Sequence, residues 1–488
     1  MDNKKTVISG AKWMSISTIV SSLVVVLRLS ILAHFLEKSD FGIVAILTFI
    51  HGLTIMFSDM GFATVVLHKQ DLKKSEFASL FWVQMLIYSV LYFLMTCLTH
   101  PIAVFYSEPL LHVLLPLSLI DLFFTAFGKL YEAVLQKNFQ FRIIAVRNIT
   151  SNILSLLLAV VMAIMGCGIY TLVYSTLFGT LILAIWNFII GQKHIKLQFH
   201  CSIKEISPLV KIGLFQTGTS IVDYFCSKLD VLIIGKMLGM EALGVYNLCK
   251  ELIFRFILGV NTIINKVMSP VFSKMQDDTD TLRKSYCTTL SKLTSLSFAA
   301  LTLIASLSTQ IMSVLYGNSY QESGLLTALL ACVAMGTAVG NPVSSIIIAS
   351  GRTDLTFKYV WIRALYTAPC IYVCSQYSIY VVAIGQILLA VLDYIFQTII
   401  EVKPVLKITL YRLTSTFYKQ ALISLFLGII GYVVFSTNPF NIGMSVLQLT
   451  VYSLIMISVY FIIYAMLIKD EFISFIVLVR NLRRKNNK

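Results

Sequence analysis

Arg28, Arg147, Lys228, Lys250, Arg255 and Arg363 fall within stretches that are otherwise apolar, and so do Asp59, Asp223, Asp230, Glu251 and Asp393. An ionisable group in such a stretch is costly in hydrocarbon, so it faces a partner or a water-filled cavity. The chemistry open to the cations is recognition of an anion. Arg presents a planar fork of donors that matches phosphate oxygens two at a time, and Lys adds a point charge. The acids can hold a coupling proton or sodium ion, or pair with those cations.

Spacing sharpens some of these assignments. Asn247, Lys250, Glu251 and Arg255 recur at i, i+3, i+4 and i+8, which is one stripe of a helix. A polar stripe on an apolar helix lines water rather than lipid; a purely structural Glu251–Arg255 pair is the alternative. Lys228, near Asp230, belongs to the same region. Arg147 and Arg363 lie near the ends of their stretches, where a long side chain can also snorkel to lipid headgroups. Lys129 and Lys292 are open to the same two readings. Asp59 either couples an ion or caps the turn that follows it.

Motifs for catalysis are absent or poor. No Gly-rich loop with its Lys is present to cradle a nucleotide. The seven His residues form no zinc-binding pattern, and the nine Cys residues form neither a CxxC pair nor a disulfide framework. Asp278-Thr-Asp280 has the D-x-D form of metal-dependent glycosyltransferases, but its loop is too short for a nucleotide-sugar domain and reads as a solvated turn.

The elements that must position these residues are transmembrane helices. Hydrophobic residues make up 58% of the 488, charged residues only 12%, and mean hydropathy is +0.85. Soluble domains carry about 25% charged residues. Apolar runs of about 20 residues, each able to cross about 30 Å of hydrocarbon as a helix, follow one another along almost the whole chain. Fourteen spans are expected, over 11–35, 41–67, 77–98, 110–135, 143–165, 169–190, 209–234, 242–264, 290–308, 324–349, 359–374, 379–401, 418–435 and 444–467.

Charge placement supports that count. The net charge of +15 is not a nucleic-acid footprint, because Lys and Arg cluster in alternate loops. One set of loops holds Lys69, Lys73 and Lys74; Lys137 and Arg142; Lys193, Lys196 and Lys204; Lys274, Arg283 and Lys284; Arg352 and Lys358; and Lys403, Lys407, Arg412 and Lys419. The other set holds little besides Lys38 and Lys236. Both termini are therefore expected in the cytoplasm. The tail with Arg480, Arg483, Arg484, Lys485 and Lys488 is placed to touch anionic headgroups. The basic Met1–Lys5 segment precedes a run too long for a signal peptide, and reads as the start of the first span.

The chain also repeats. Segment 27–42 (LRLSILAHFLEKSDFG) parallels 229–244 (LDVLIIGKMLGMEALG) at a constant offset of 202 residues. Six spans separate the copies, and an even number preserves orientation, so the halves are parallel repeats about an axis along the membrane normal. The expected fold is an all-α integral membrane protein of fourteen helices. Residues 1–200 and 201–403 form two six-helix lobes, and 404–488 an appended helix pair with the basic tail. The repeat places Arg28 and Asp230 at matching depth and is expected to bring the first and seventh spans face to face. Their pairing would either alternate with a substrate anion or anchor the lobes statically. Pro116 and Asn341-Pro342 could bend helices during rocking, or be ordinary kinks.

With these segments in hand the chain resembles the polysaccharide transporters, or oligosaccharide flippases, of the multidrug/oligosaccharidyl-lipid/polysaccharide (MOP) superfamily, of the colanic-acid and teichuronic-acid exporter type. The resemblance is carried by Gly10-Ala-Lys-Trp13, Phe41-Gly42, Asp59-Met-Gly-Phe-Ala63, the loop 68–77, Leu135-Gln-Lys-Asn-Phe-Gln-Phe-Arg142 and the segment 238–246. It implies a MOP/MATE-like fold in a bacterial inner membrane. It also implies a flippase that moves undecaprenyl-pyrophosphate-linked oligosaccharide repeat units from the inner to the outer leaflet. Such units feed assembly of surface polysaccharide such as O-antigen, capsule or exopolysaccharide. Transport would proceed by alternating access around a cationic cavity, coupled to H+ or Na+, with no other cofactor. Membrane lipids, the polymerase and the chain-length machinery are the implied partners. Two alternatives stand beside it: a multidrug or cation antiporter of the same superfamily, and a membrane-embedded polymerase or ligase acting on lipid-linked sugars. The short loops argue against the last.

Overall fold

The computed structural model describes residues 2–59, 61–69, 71–276, 278–436 and 446–467. The side chain of Asp59 and the whole basic tail from Arg480 to Lys488 lie outside the described residues, as does part of the loop around Asn438.

Among the described residues each expected span lies in a helix, since only a helix satisfies each backbone group within its own segment in lipid. In chain order the helices are α1 (Asp2–Leu32), α2 (Lys38–Asp59), α3 (Phe62–His68), α4 (Lys74–Cys97), α5 (Thr99–Tyr106), α6 (Leu110–Leu119) and α7 (Asp121–Lys137). Then come α8 (Phe141–Ile164), α9 (Tyr170–Gly191), α10 (Ile203–Met237), α11 (Gly239–Ser273), α12 (Thr279–Ser306), α13 (Ser308–Tyr316) and α14 (Gly324–Ser350). The last are α15 (Thr353–Ser375), α16 (Ile379–Gln397), α17 (Lys403–Leu406), α18 (Leu410–Thr414), α19 (Tyr418–Ser436) and α20 (Val446–Leu467). Among the described residues 10 helices are long and apolar enough to cross a membrane. The four remaining expected spans coincide with α10, α11, α15 and α20, which fall short of that test among the described residues.

The expected fourth span is two helices, α6 and α7, which meet at Ile120. Pro116 sits inside α6 and has no N–H to donate to the His112 carbonyl one turn earlier, which weakens this short helix. Pro342 has no such effect, because α14 runs through it without interruption. A short π turn over Thr398–Val402 joins α16 to α17 just before Pro404, where a missing N–H again disturbs the ladder.

The chain groups into two compact units. The first comprises residues 1–248 with 364–379, the second 249–363 with 380–488. In the first, α1 packs along α8, α8 and α7 along α9, and α10 along α2. One apolar cluster joins α3, α4 and α7 through Phe62, Val66, Phe77, Phe81, Leu130 and Tyr131. In the second, α12 packs against both α14 and α19, and a cluster around Phe272, Tyr286, Phe298, Val343, Ile346 and Leu406 ties α11 and α12 to α14 and α17. Large apolar side chains that remain outside, such as Phe93 at 65% and Leu365 at 77% exposure, suit contact with lipid tails.

The repeat has a structural counterpart within the first unit. A Cβ at Gly42 would collide with the carbonyl oxygen of Met240, and one at Gly244 with the carbonyl oxygen of Lys38. Residues 38 and 240 are repeat equivalents, as are 42 and 244. The contact is therefore reciprocal, as a two-fold relation between the copies requires. Small residues let the two backbones approach this closely. Gly239 enables the turn between α10 and α11 by adopting φ +85°, a conformation few L residues tolerate. The expected face-to-face packing of the first and seventh spans is corrected accordingly. Among the described residues α10 packs along α2 and α1 along α8. The reciprocal glycines draw the start of α2, rather than the body of α1, against the second copy.

Candidate functional site

Arg28 stands in the last turns of α1, half-buried. Its Nη1 donates to Ser155 Oγ of α8 at 3.3 Å. Two further polar contacts hold α1 to α8: Asn152 Nδ2 donates to Ser21 Oγ at 2.9 Å, and Ser17 Oγ to the Ala145 carbonyl at 3.4 Å. Ser155 in turn donates to the Ser175 carbonyl of α9 at 2.6 Å. The guanidinium is thus placed on a polar seam of three helices that a chain in lipid needs as interhelical glue.

Arg147 corrects the expectation that it snorkels to lipid headgroups. The residue is 1% exposed, and its fork points inward. It pairs with Glu132 Oε2 of α7 at 3.2 Å, donates to Asn148 Oδ1 at 2.9 Å, and donates to Asn187 Oδ1 of α9. Asn187 Nδ2 continues to the Gly128 carbonyl at 3.1 Å. A buried guanidinium needs its donors met within the protein, and three helices meet them here. Arg147 is a cross-brace of the first unit.

On α10, Asp223 is exposed, Lys228 half-buried and Asp230 buried at 1% exposure. Tyr246 of α11, fully buried, donates its hydroxyl to Asp230 Oδ2 at 2.5 Å. The Val231 N–H donates to Oδ1 at 2.9 Å. The carboxylate is thereby fastened across the Gly239 turn, and its tyrosine partner had no signal in the repeat.

The stripe on α11 takes shape as expected of a helix with one buried face. Leu248, Cys249, Ile253 and Ile257 are buried, whereas Asn247, Lys250, Glu251 and Arg255 are half-buried. Arg255 Nε donates to Glu251 Oε2 at 2.8 Å, one turn away. Lys250 Nζ lies 5.9 Å from the centre of the Phe254 ring. In the second unit Arg363 Nε lies 3.4 Å from Asp393 Oδ2, both side chains a quarter exposed. The structure so brings together one cation and one acid that the sequence offered for separate roles. Lys129 and Lys292 are half-buried on α7 and α12.

Asp278 is the N-cap of α12. Its side chain accepts from the Asp280 and Thr281 N–H groups, both at 3.1 Å, and from Thr281 Oγ1 at 2.5 Å. The hydrogen bonds from Thr281 hold this carboxyl below its ordinary range. Asp280 pairs with Arg283 one turn on. The D-x-D spelling therefore serves a helix start. Among the described residues no group of three or more His, Cys, Asp or Glu could hold a metal ion.

A pair absent from the sequence reading stands inside the first unit. His51 Nε2 of α2 lies 2.8 Å from Asp121 Oδ2 at the start of α7, beside a cavity between α2, α6, α7 and α9. Both residues are ionisable groups within apolar runs, which is the signal that could have found them. Their separation in sequence hid the pairing.

A family described as polysaccharide biosynthesis protein matches residues 31–325. The chain belongs to this family. Among curated members, the lipopolysaccharide biosynthesis protein WzxC of Escherichia coli (strain K12) is 25% identical over 88% of this chain and 85% of its own length. The teichuronic acid biosynthesis protein TuaB of Bacillus subtilis (strain 168) is 25% identical over 90% and 91%. Among solved structures, the lipid II flippase MurJ in an inward closed conformation superposes with a TM-score of 0.71 at 16% identity, covering 93% of this chain and 99% of that one. A multidrug resistance MATE family transporter of the MOP superfamily, inward-facing, gives 0.62 at 11% identity over 84% and 98%. This polysaccharide biosynthesis protein thus has the all-helical, multi-pass membrane fold of the MurJ and MATE proteins.

Proposed function

We propose that this polysaccharide biosynthesis protein is a transporter rather than an enzyme. Its cargo would be undecaprenyl-pyrophosphate-linked oligosaccharide repeat units, moved from the inner to the outer leaflet for surface polysaccharide assembly. The observation that carries the reading is the family match over 31–325, extended by relatives in lipopolysaccharide and teichuronic acid synthesis along most of the chain. The lipid II flippase fold supports it. In this reading fourteen spans form two six-helix lobes, 1–200 and 201–403, with 404–488 appended and both termini in the cytoplasm. The lobes open alternately in the inner membrane. Arg28, Arg147, Lys228, Lys250, Arg255 and Arg363 meet the pyrophosphate, for which the guanidinium fork is suited. Asp230, Glu251, Asp223, Asp393 and Asp59 serve gating or coupling to H+ or Na+. Polymerase and chain-length proteins receive the product.

Complementation tests the reading. Cells lacking the protein should lose surface polymer and accumulate the lipid-linked unit. The wild-type chain should restore the polymer, and Arg28→Ala, made at normal abundance, should not. The MATE-like fold favours one second reading, a multidrug or cation antiporter. That reading predicts normal polymer and sensitivity to cationic compounds.

A further inference from the structure

We propose that His51 and Asp121 form a one-proton site in the first unit, and that this dyad is where proton binding couples to transport. The proton site rests on geometry alone; only its coupling role rests on the transport reading above.

Asp121 is 3% exposed, so its carboxylate is almost wholly withdrawn from solvent. One of its oxygens, Oδ2, lies 2.8 Å from His51 Nε2. The other, Oδ1, has no hydrogen-bond partner among the described residues. Both residues line a cavity of about 60 Å³, which is large enough to admit water. The His51 side chain is 23% exposed, so the dyad has one buried end and one accessible end.

The rest of the lining has no hydrogen to offer. Its hydroxyl groups are those of Thr48, Ser118 and Thr176. Each already donates to a carbonyl of its own helix: Thr48 to Val44 at 2.8 Å, Ser118 to Leu115 at 3.0 Å, and Thr176 to Leu172 at 2.8 Å. These oxygens present only lone pairs to the cavity. Among the lining side chains, the imidazole of His51 is left as the group that can carry a hydrogen to the carboxylate. Imidazole is the side chain whose charge ordinarily changes near neutrality. One proton added to the pair gives imidazolium beside carboxylate; its release leaves neutral imidazole beside carboxylate. Two groups in such contact titrate as a unit. Sodium is the poorer fit, because a hard cation needs several oxygen ligands and imidazole nitrogen is not one of its donors.

Among the described residues no other charged side chain lines the cavity. From α6 the lining side chain is Ser118, and from α9 come Leu172, Val173, Thr176 and Leu177. The remaining elements packed on α2 and α7 bring tyrosines to this level. Tyr224 of α10 donates to the Phe49 carbonyl at 3.2 Å, and the Tyr92 ring of α4 packs tilted against Phe123 with ring centres 5.0 Å apart. Tyr88 of α4 is buried. Among the described residues no lysine, arginine or second acid lines the cavity beside the dyad.

The test is proton uptake by the purified full-length protein when the pH is dropped from 8 to 6, for wild type, His51→Gln, Asp121→Asn and the double variant. The expected result is a loss of about one proton per molecule in each single variant, and no further loss in the double. Equal uptake by wild type and Asp121→Asn, with His51→Gln alone losing a proton, would show an ordinary surface histidine and overturn the proposal. So would uptake that falls when Na+ replaces K+ at constant ionic strength, which marks a cation site. If Asp121→Asn does not elute as a folded monodisperse species, Asp121→Ser, which likewise removes the carboxylate, takes its place in the same comparison with wild type and His51→Gln. In cells, the ratio of surface polymer at external pH 6 to that at pH 8 should collapse to about one in Asp121→Asn. A ratio that stays at the wild-type value would remove the coupling role while leaving the proton site. A protein whose loss does not alter surface polymer would remove the transport reading, again without touching the titration.

Discussion

Substituting Gly42 by Ala tests the reciprocal seam between the repeat copies. The new Cβ falls on the carbonyl oxygen of Met240. That neighbour is backbone, so no side-chain rotation can relieve the clash, and α2 must part from the turn between α10 and α11. Overpacking a tight contact costs about 1–3 kcal/mol. Backbone meeting backbone belongs at the upper end. A cost of about 3 kcal/mol corresponds to a shift of about 150-fold against any state in which the seam is closed. Gly244→Ala inserts the same methyl from the other side, against Lys38. The two variants open one seam, so their effects should not add. The control is Gly428→Ala in α19, where nothing lies within 4 Å of the new Cβ. There the same substitution should be neutral or stabilising by up to about 1 kcal/mol from helix propensity. The assay is the thermal unfolding midpoint of the purified protein, with surface polymer in complemented cells. Lower midpoints and reduced polymer for Gly42→Ala and Gly244→Ala, against an unchanged Gly428→Ala, are expected. Three indistinguishable variants would refute the seam.

Other perturbations follow the same logic. Arg147→Met should destabilise by about 3–5 kcal/mol, because Glu132 and Asn187 lose their buried partner, and Arg147→Lys should rescue little without the guanidinium fork; unfolding midpoints equal to wild type would exclude the cross-brace. Tyr246→Phe should cost about 1–3 kcal/mol by leaving a buried oxygen of Asp230 without its donor, and an unchanged midpoint would show that the pair carries no net stability. Arg28→Ala should lower surface polymer strongly at unchanged protein abundance, whereas Arg28→Lys should retain part of it; loss of abundance instead would assign Arg28 to the α1–α8 seam.

Hydropathy made most of the helices legible, because a lipid-spanning helix needs only its own residues to be recognised. The helices at α6 and α7 divided one expected span because Pro116 acts locally in a way that mean hydropathy does not register. The repeat pointed to the right segments, but not to the glycines at which the two copies meet backbone to backbone. Similarity of 27–42 to 229–244 identified Arg28 and Asp230 as equivalents, yet the contact is made by Gly42 and Gly244, whose value lies in the side chain they lack. Individual charges were legible as costly groups, but their partners were not. Glu132 and Asn187 around Arg147, Tyr246 at Asp230, and Asp121 at His51 come from other helices. Glu251 and Arg255, one helical turn apart, could be paired from spacing.

The transport claim is met most directly by asking which leaflet holds the lipid-linked repeat unit when the protein is removed. In intact cells, an impermeant reagent that modifies sugars reaches only the outer leaflet. Without the protein the unit should accumulate and resist the reagent, and restoring the chain should return it to the accessible pool within the time polymer reappears. An accumulated unit that is already accessible in the absence of the protein would contradict translocation and place the defect at a later step.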